Sequence, residues 1–257
     1  MEVCVLGSGS KGNCTYISAG STAILVDAGI NRKQTLARME QAGIDPGSVQ
    51  AIFFTHSHSD HCSAVPQLAK TFNAGLYASG DVADSIDLAL PGQTLEWTVF
   101  ETGQIVEFGD LRIESFPVPH DVASVGYVFD DGGSRLFYAT DLGSVTDPVR
   151  RSFNSCDAAI LESNHDPVLL RSSDRPEKIK MRIAGRSGHL SNDDACELVA
   201  ECASERLRLL LLAHLSEDCN SVRLALDRMN AALSRRGCDG VRVAALRQHE
   251  PSPFFTL

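Results

Sequence analysis

The chain has 257 residues, is 43% hydrophobic and 22% charged, and carries a formal charge of −10 at pH 7. That is ordinary globular composition, enough for one large domain or two small ones with a sizeable buried core. The acidic balance argues against a surface coated non-specifically in nucleic acid, and no apolar run approaches membrane-spanning length.

In chain order, the N-terminal "MEVCVLGSGS" lacks a basic region leading into a long apolar stretch, so no secretory signal is expected. "EVCVLG", "CTYIS" and "TAILVDAG" read as short strands joined by Gly/Ser turns. "NRKQTLARMEQAG" reads as an amphipathic helix closed by a glycine, and "AIFFT" as a buried strand. A helix in "SAVPQLAKTF", a strand in "GLYAS" and a short helix in "GDVADSIDLAL" follow. Residues 95–140 are almost all strand: "EWTVFE", "QIVEFG", "LRIESFPV", "SVGYVFD" and "RLFYAT". Strands then alternate with helices: "DAAILE", "NDDACELVAECAS", "LRLLLLAH", "SVRLALDRMNAALSRRG" and "VRVAAL". Two strand-rich blocks with no low-complexity linker predict two packed sheets with helices outside, in one domain over 1–257. The eight cysteines form no C-x-x-C pair, which predicts reduced, mostly buried thiols in a cytoplasmic protein.

The densest chemistry is "THSHSDHC", directly behind the buried strand at 51–55. His56 and His58, two apart on the turn after that strand, can point into one pocket. Asp60 and His61 follow where a helix would begin and can face a second point a few ångströms away. Imidazole nitrogen and carboxylate oxygen suit zinc, manganese or iron. Further ligands should sit at other strand ends. "SFPVPHD" offers His120, "LFYATDLG" Asp141 and "LLLLAHLS" His214. Each alone would read as a structural histidine or a turn aspartate. The four features together read as a metal site.

T-H-x-H-x-D-H followed by a spaced His, Asp and His resembles the metallo-β-lactamase fold superfamily, over nearly the whole chain. The resemblance implies an α/β fold of αββα layers with a binuclear site at one edge of the two sheets. It implies that His56, His58 and His120 hold one metal, that Asp60, His61 and His214 hold the other, and that Asp141 bridges both. It also matches Asp27 in "ILVDAG" to an aspartate outside the ligand shell, where a plain turn residue is an equal reading.

The superfamily's members act on varied substrates, so the fold leaves the reaction open. Two divalent ions (zinc or manganese, with iron allowed) would lower the pKa of a water between them and clamp the oxygens of the attacked group. "AAILESNHD" puts Glu162 at a strand end and "GRSGHLSNDD" puts His189 just before a helix capped by Ser191 or Asn192. In the phosphodiesterase branch, which includes ribonuclease Z, a similar Glu–His pair protonates the leaving oxygen. The resemblance therefore implies His189 as general acid and Glu162 as its support. Upstream, residues 171–186 carry a net +4 inside an acidic chain, which suits a phosphate backbone.

"LGSGSKGNCTYI", "LESNHD", "RIAGRSGHLSN" and "LAHLSEDCN" narrow the likeness to the bacterial YycJ/WalJ (VicX) group, which implies exonuclease action on DNA. Twenty residues separate His120 from Asp141, too few for a tRNA-gripping arm, and the Asp141–His214 stretch is too short for an inserted β-CASP domain. The expectation is thus a metal-dependent phosphodiesterase whose partner is nucleic acid, with no membrane contact. The competing expectation is a small-molecule metallo-hydrolase of thioesters, lactones or cyclic phosphodiesters.

Overall fold

The computed structural model describes residues 1–257. The first half builds β1 (Glu2–Gly7), β2 (Cys14–Ala19), β3 (Thr22–Val26), β4 (Ala51–Phe53), β5 (Gly75–Ser79) and β6 (Trp97–Phe100). Between these strands run α1 (Arg32–Ala42), α2 (Ser59–Cys62), α3 (Val65–Phe72) and α4 (Gly80–Ala89). The second half builds β7 (Ile105–Phe108), β8 (Leu111–Pro117), β9 (Val125–Asp130), β10 (Arg135–Ala139), β11 (Ala158–Glu162), β12 (Leu209–Ala213) and β13 (Arg242–Ala245). Its helices are α5 (Asp147–Asn154), α6 (Pro167–Ser172), α7 (Glu177–Ile183), α8 (Asn192–Cys202) and α9 (Val222–Arg236). A final short strand, β14 (Phe255–Thr256), returns to pair with β1.

The strands form two seven-stranded sheets, in the orders β14-β1-β2-β3-β4-β5-β6 and β13-β12-β11-β10-β9-β8-β7. Both sheets have the same grammar. The first is antiparallel from β14 to β3 and parallel from β3 to β6. The second is antiparallel from β7 to β10 and parallel from β10 to β13. Hairpins can join the antiparallel strands, whereas the parallel ones need crossovers, and these carry the helices.

Three apolar clusters define four layers. One, with Ile24, Phe53, Tyr127, Ile160 and Leu211, lies between the sheets. A second packs the first sheet against α1, α3 and α4 through Leu25, Ile52, Met39, Leu68 and Ile86. A third packs the other sheet against α5, α8 and α9 through Phe137, Leu212, Phe153, Leu198 and Met229. The expected α/β sandwich of αββα type is the fold. It explains why β12 reads as an unbroken Leu-Leu-Leu-Leu-Ala run: both of its faces are covered, so no polar alternation survives.

Local signals set the helix ends. Asn31 caps α1 by accepting from Gln34 N, and Gly43 ends it in the left-handed region at φ 74°. Ser191 caps α8. The structure adds α5, α6, α7 and β14 to the elements predicted from the sequence. The basic stretch at 171–186, expected only as a charged segment, contains the seven-residue helix α7, which buries no side chain.

Candidate metal centre

Every candidate ligand leaves the C-terminal end of a strand on the same edge of the sandwich. The 54–58 turn follows β4, His120 follows β8, Asp141 follows β10 and His214 follows β12. α2 begins immediately after His58 and carries Asp60 and His61. Its approach to the first sheet is tight. A Cβ on Gly29 would stand 1.6 Å from Asp60 O, so only glycine fits there. Asn13 N and Ala28 N bond the carbonyls of Asp60 and His61 at 2.7 Å each, fixing α2 to the loops after β1 and β3.

The backbone is strained where the site needs it. Four non-glycine residues have positive φ, and three of them are Asp27 (63°), Asp141 (55°) and His214 (54°). Each turns sharply at a strand end, which costs on the order of 1–3 kcal/mol and persists only where surrounding contacts impose it.

The seven candidate ligands converge. His56, His58, His120 and Asp141 offer one donor atom each, all within 4.8 Å of one another, and Asp60, His61 and His214 do the same. Asp141 also belongs to a third set with Glu162, His189 and His214. Donors at this spacing fit a divalent cation, and the polar accounting agrees. His56 Nε2, His214 Nε2 and Asp141 Oδ2 are buried with no hydrogen-bond partner. Buried polar atoms left unpaired in this way are costly, and cations in the two donor clusters would satisfy them.

The far sides of the rings are held by the protein. His56 Nδ1 is 3.0 Å from Thr55 Oγ1. His61 Nδ1 donates to Asp27 Oδ2 at 2.8 Å, His120 Nδ1 to Gly188 O at 3.0 Å, and His214 Nδ1 to Glu162 Oε1 at 2.8 Å. Such partners fix which ring nitrogen faces a metal. Asp27 therefore stands behind His61, fully buried, and also accepts from Thr55 N at 2.9 Å.

Electrostatics follows from burial and from these neighbours. Burial pushes the pKa of His56 well down and that of His120 down, which suits neutral ligands. Burial also disfavours charged His61, but Asp141 and Asp27 outweigh it and raise its pKa to about 10. Asp141 is fully buried, yet His214 and His61 hold its pKa well below the usual carboxylate range.

Glu162 and His189 meet beside this cluster. Glu162 Oε1 accepts from His189 Nδ1 at 2.9 Å, while Oε2 accepts from Leu142 N and Leu190 N at 2.7 and 3.0 Å. Burial alone would raise the Glu162 pKa, but His189 and His214 bring it down to about 2. His189 is 23% exposed at its side chain and lines a cleft of about 310 Å³ over the cluster. Ile179 and Ile183 are the only apolar residues lining that cleft. Of the basic segment, Arg175 and Arg182 reach it, and each is already paired with a carboxylate, Asp218 and Asp121 respectively.

Two features escaped sequence reasoning. Asp121 lies with Oδ1 3.0 Å from His58 Nε2, and Asn13 Nδ2 lies 2.8 Å from His61 Nε2. Asp121 follows His120 directly, as the "PHD" string allows, but its partners come from other segments.

The geometry accords with comparisons to known proteins. The family described as "Beta-lactamase superfamily domain" matches residues 22–214. The chain belongs to that superfamily. Exodeoxyribonuclease YycJ of Bacillus anthracis is 34% identical over 235 residues, covering 91% of this chain and 89% of the relative. Exodeoxyribonuclease WalJ of Streptococcus pneumoniae strain D39 is 34% identical over 225 residues, covering 86% and 84%. The superfamily fold extends to Zn²⁺-bound PqqB from Methylobacterium extorquens, with a TM-score of 0.76 and 17% identity over all of both chains. Within the superfamily this chain is of the YycJ/WalJ type and is a metal-dependent hydrolase. Its clustered histidines and aspartates suit a divalent metal. No helix is long and apolar enough to cross a membrane.

Proposed function

We propose that the chain is a two-metal phosphodiesterase that shortens DNA from an end. His56, His58 and His120 would hold one divalent ion, Asp60, His61 and His214 would hold the second, and Asp141 would serve both, all on one domain spanning 1–257. The observation that carries the reading is the buried Glu162 carboxylate bonded to His189 at the rim of the donor clusters. A carboxylate-backed imidazole can protonate an alkoxide leaving group, which a thioester's readily departing thiolate does not need. The names of the YycJ and WalJ relatives support DNA as the substrate.

When bound, the ions supply an acidified water and positive charge for the phosphoryl oxygens. Zinc and manganese both suit these nitrogen and oxygen donors. The chain's residues do the rest. Glu162 fixes the His189 ring by taking its Nδ1–H, so Nε2, which has no protein partner, is the atom that delivers a proton to the leaving oxygen. Burial opposes the charge on His189, but Glu162 and Asp141 prevail and raise its pKa, which keeps the proton available. Arg175 and Arg182 line the cleft and offer guanidinium donors to the substrate's phosphates, in exchange with the carboxylates of Asp218 and Asp121 that now pair them.

The test is direct. Protein loaded with Mn²⁺ or Zn²⁺ should shorten labelled single-stranded DNA or duplex ends more readily than matched RNA. If no nucleic acid is shortened and bis(p-nitrophenyl) phosphate also stays intact, the reading fails.

A further inference from the structure

Five of the seven candidate ligands are histidines, and four of these have their outer ring nitrogen held by Thr55, Asp27, Gly188 or Glu162. His58 is the exception. Its Nδ1 lies 3.2 Å from His120 Nε2, on the cluster side. Its Nε2 lies 3.0 Å from Asp121 Oδ1, an oxygen that also stands 3.4 Å from His120 Nε2. The other Asp121 oxygen, Oδ2, accepts from Arg182 Nε at 2.9 Å and from Arg182 Nη2 at 2.6 Å. His58 is also the most exposed ring of the five, at 28% of its side chain, so packing restrains it least.

We propose that Asp121 is a positioning residue for His58, itself held in place by Arg182 of α7. An acceptor-only carboxylate beside Nε2 selects the tautomer with the proton on that nitrogen, leaving the Nδ1 lone pair for the cation. Arg182 holds the carboxylate by two charge-assisted bonds that converge on its Oδ2, leaving Oδ1 toward His58. The surface helix α7 thereby reaches a metal ligand through two side chains, and the basic segment has a task besides meeting phosphate. The inference rests on His58 being a ligand, as proposed above. It does not rest on the substrate being DNA.

The experiment compares Zn²⁺ binding by wild type, Asp121→Ala, Asp121→Asn and Arg182→Gln, using competition with a chromophoric chelator. Apo-protein melting temperatures are measured alongside. Asp121→Ala should weaken one of two ions by about 10- to 100-fold, the usual cost of losing a ligand's outer partner, and leave the other unchanged. Asp121→Asn keeps an acceptor oxygen and should fall between Asp121→Ala and wild type. Arg182→Gln should weaken the same ion by less. All variants should melt as the wild type does. Unchanged affinity in Asp121→Ala overturns the proposal. So does complete loss of one ion at saturating Zn²⁺, which would make Asp121 a ligand, or equal weakening of both ions with a lowered melting temperature. Two bound ions with no nuclease activity would refute the proposed function and leave this inference standing. A wild type that takes up neither Zn²⁺ nor Mn²⁺ would overturn both.

Discussion

Glu162 and His214 are joined by a 2.8 Å hydrogen bond through the same carboxylate oxygen, Oε1, that holds His189 at 2.9 Å. One buried group thus serves a candidate metal ligand and the candidate proton donor together. Glu162→Gln should accordingly damage two properties. Turnover should fall by roughly 10²–10⁴, and affinity for one ion by about 10- to 100-fold. His189→Ala should lower turnover alone. Metal titration beside nuclease assays checks this, and a Glu162→Gln protein with wild-type metal affinity would refute the shared role.

The proton from His189 matters only if the leaving group needs one. A deoxyribose oxygen does, whereas p-nitrophenolate departs readily without it. His189→Ala should therefore lose roughly 10²–10⁴ in rate on DNA and far less on bis(p-nitrophenyl) phosphate. Equal losses on both substrates would assign His189 to binding or structure.

Asn192 and Asn220 bond each other reciprocally at 2.9 and 3.0 Å beneath the Glu162 loop. Asn220 Nδ2 also reaches the carbonyls of Ser163 and Asn164, and Ser163 Oγ donates to Asn192 Oδ1 at 2.6 Å. Asn220→Ala strands several of these buried groups at once. A loss of about 1–3 kcal/mol in unfolding free energy is expected from urea denaturation. A variant as stable as the wild type would mean that water replaces the amide without cost.

Burial pushes the Cys4 and Cys156 thiols up to about 11, from an ordinary value near 9. Raising a thiol pKa lowers its reactive thiolate fraction at every pH below the new value. At pH 8 iodoacetamide should therefore spare Cys4 and Cys156 in the folded protein, while the partly exposed Cys202 and Cys238 react first. Peptide mapping after timed alkylation reads the order, and early labelling of Cys156 would contradict the buried placement.

Much of this was legible in the sequence. The buried strand β4 and the histidines behind it announced the fold and pointed to the candidate donors that the structure brings together. The Leu run of β12 was legible as a strand, and its coverage on both faces emerged only with the fold. What was not legible depends on partners distant in sequence. Glu162 reads as one histidine's support until β11 and β12 are set side by side, which brings His214 to the same oxygen. Asp121 reads as a neighbour of His120 until Arg182 arrives from 61 residues away. α7 is short and buries no side chain, so its sequence has no hydrophobic period to betray it. The positive charge of 171–186 was readable, but not its local neutralisation by Asp121 and Asp218.

The matched grammar of the two sheets has a consequence for the order in which the molecule assembles. The antiparallel halves, β1 to β3 and β7 to β10, join neighbours in sequence and have little loop entropy to overcome. The parallel halves must wait for their crossovers. The first sheet's loops hold His56, His58, Asp60 and His61, and the second sheet's loops hold His120, Asp141 and His214. Neither half contains a complete cation cage. During refolding, metal uptake should therefore lag behind the recovery of secondary structure, so that capture of the ion times the moment at which the two halves close on each other.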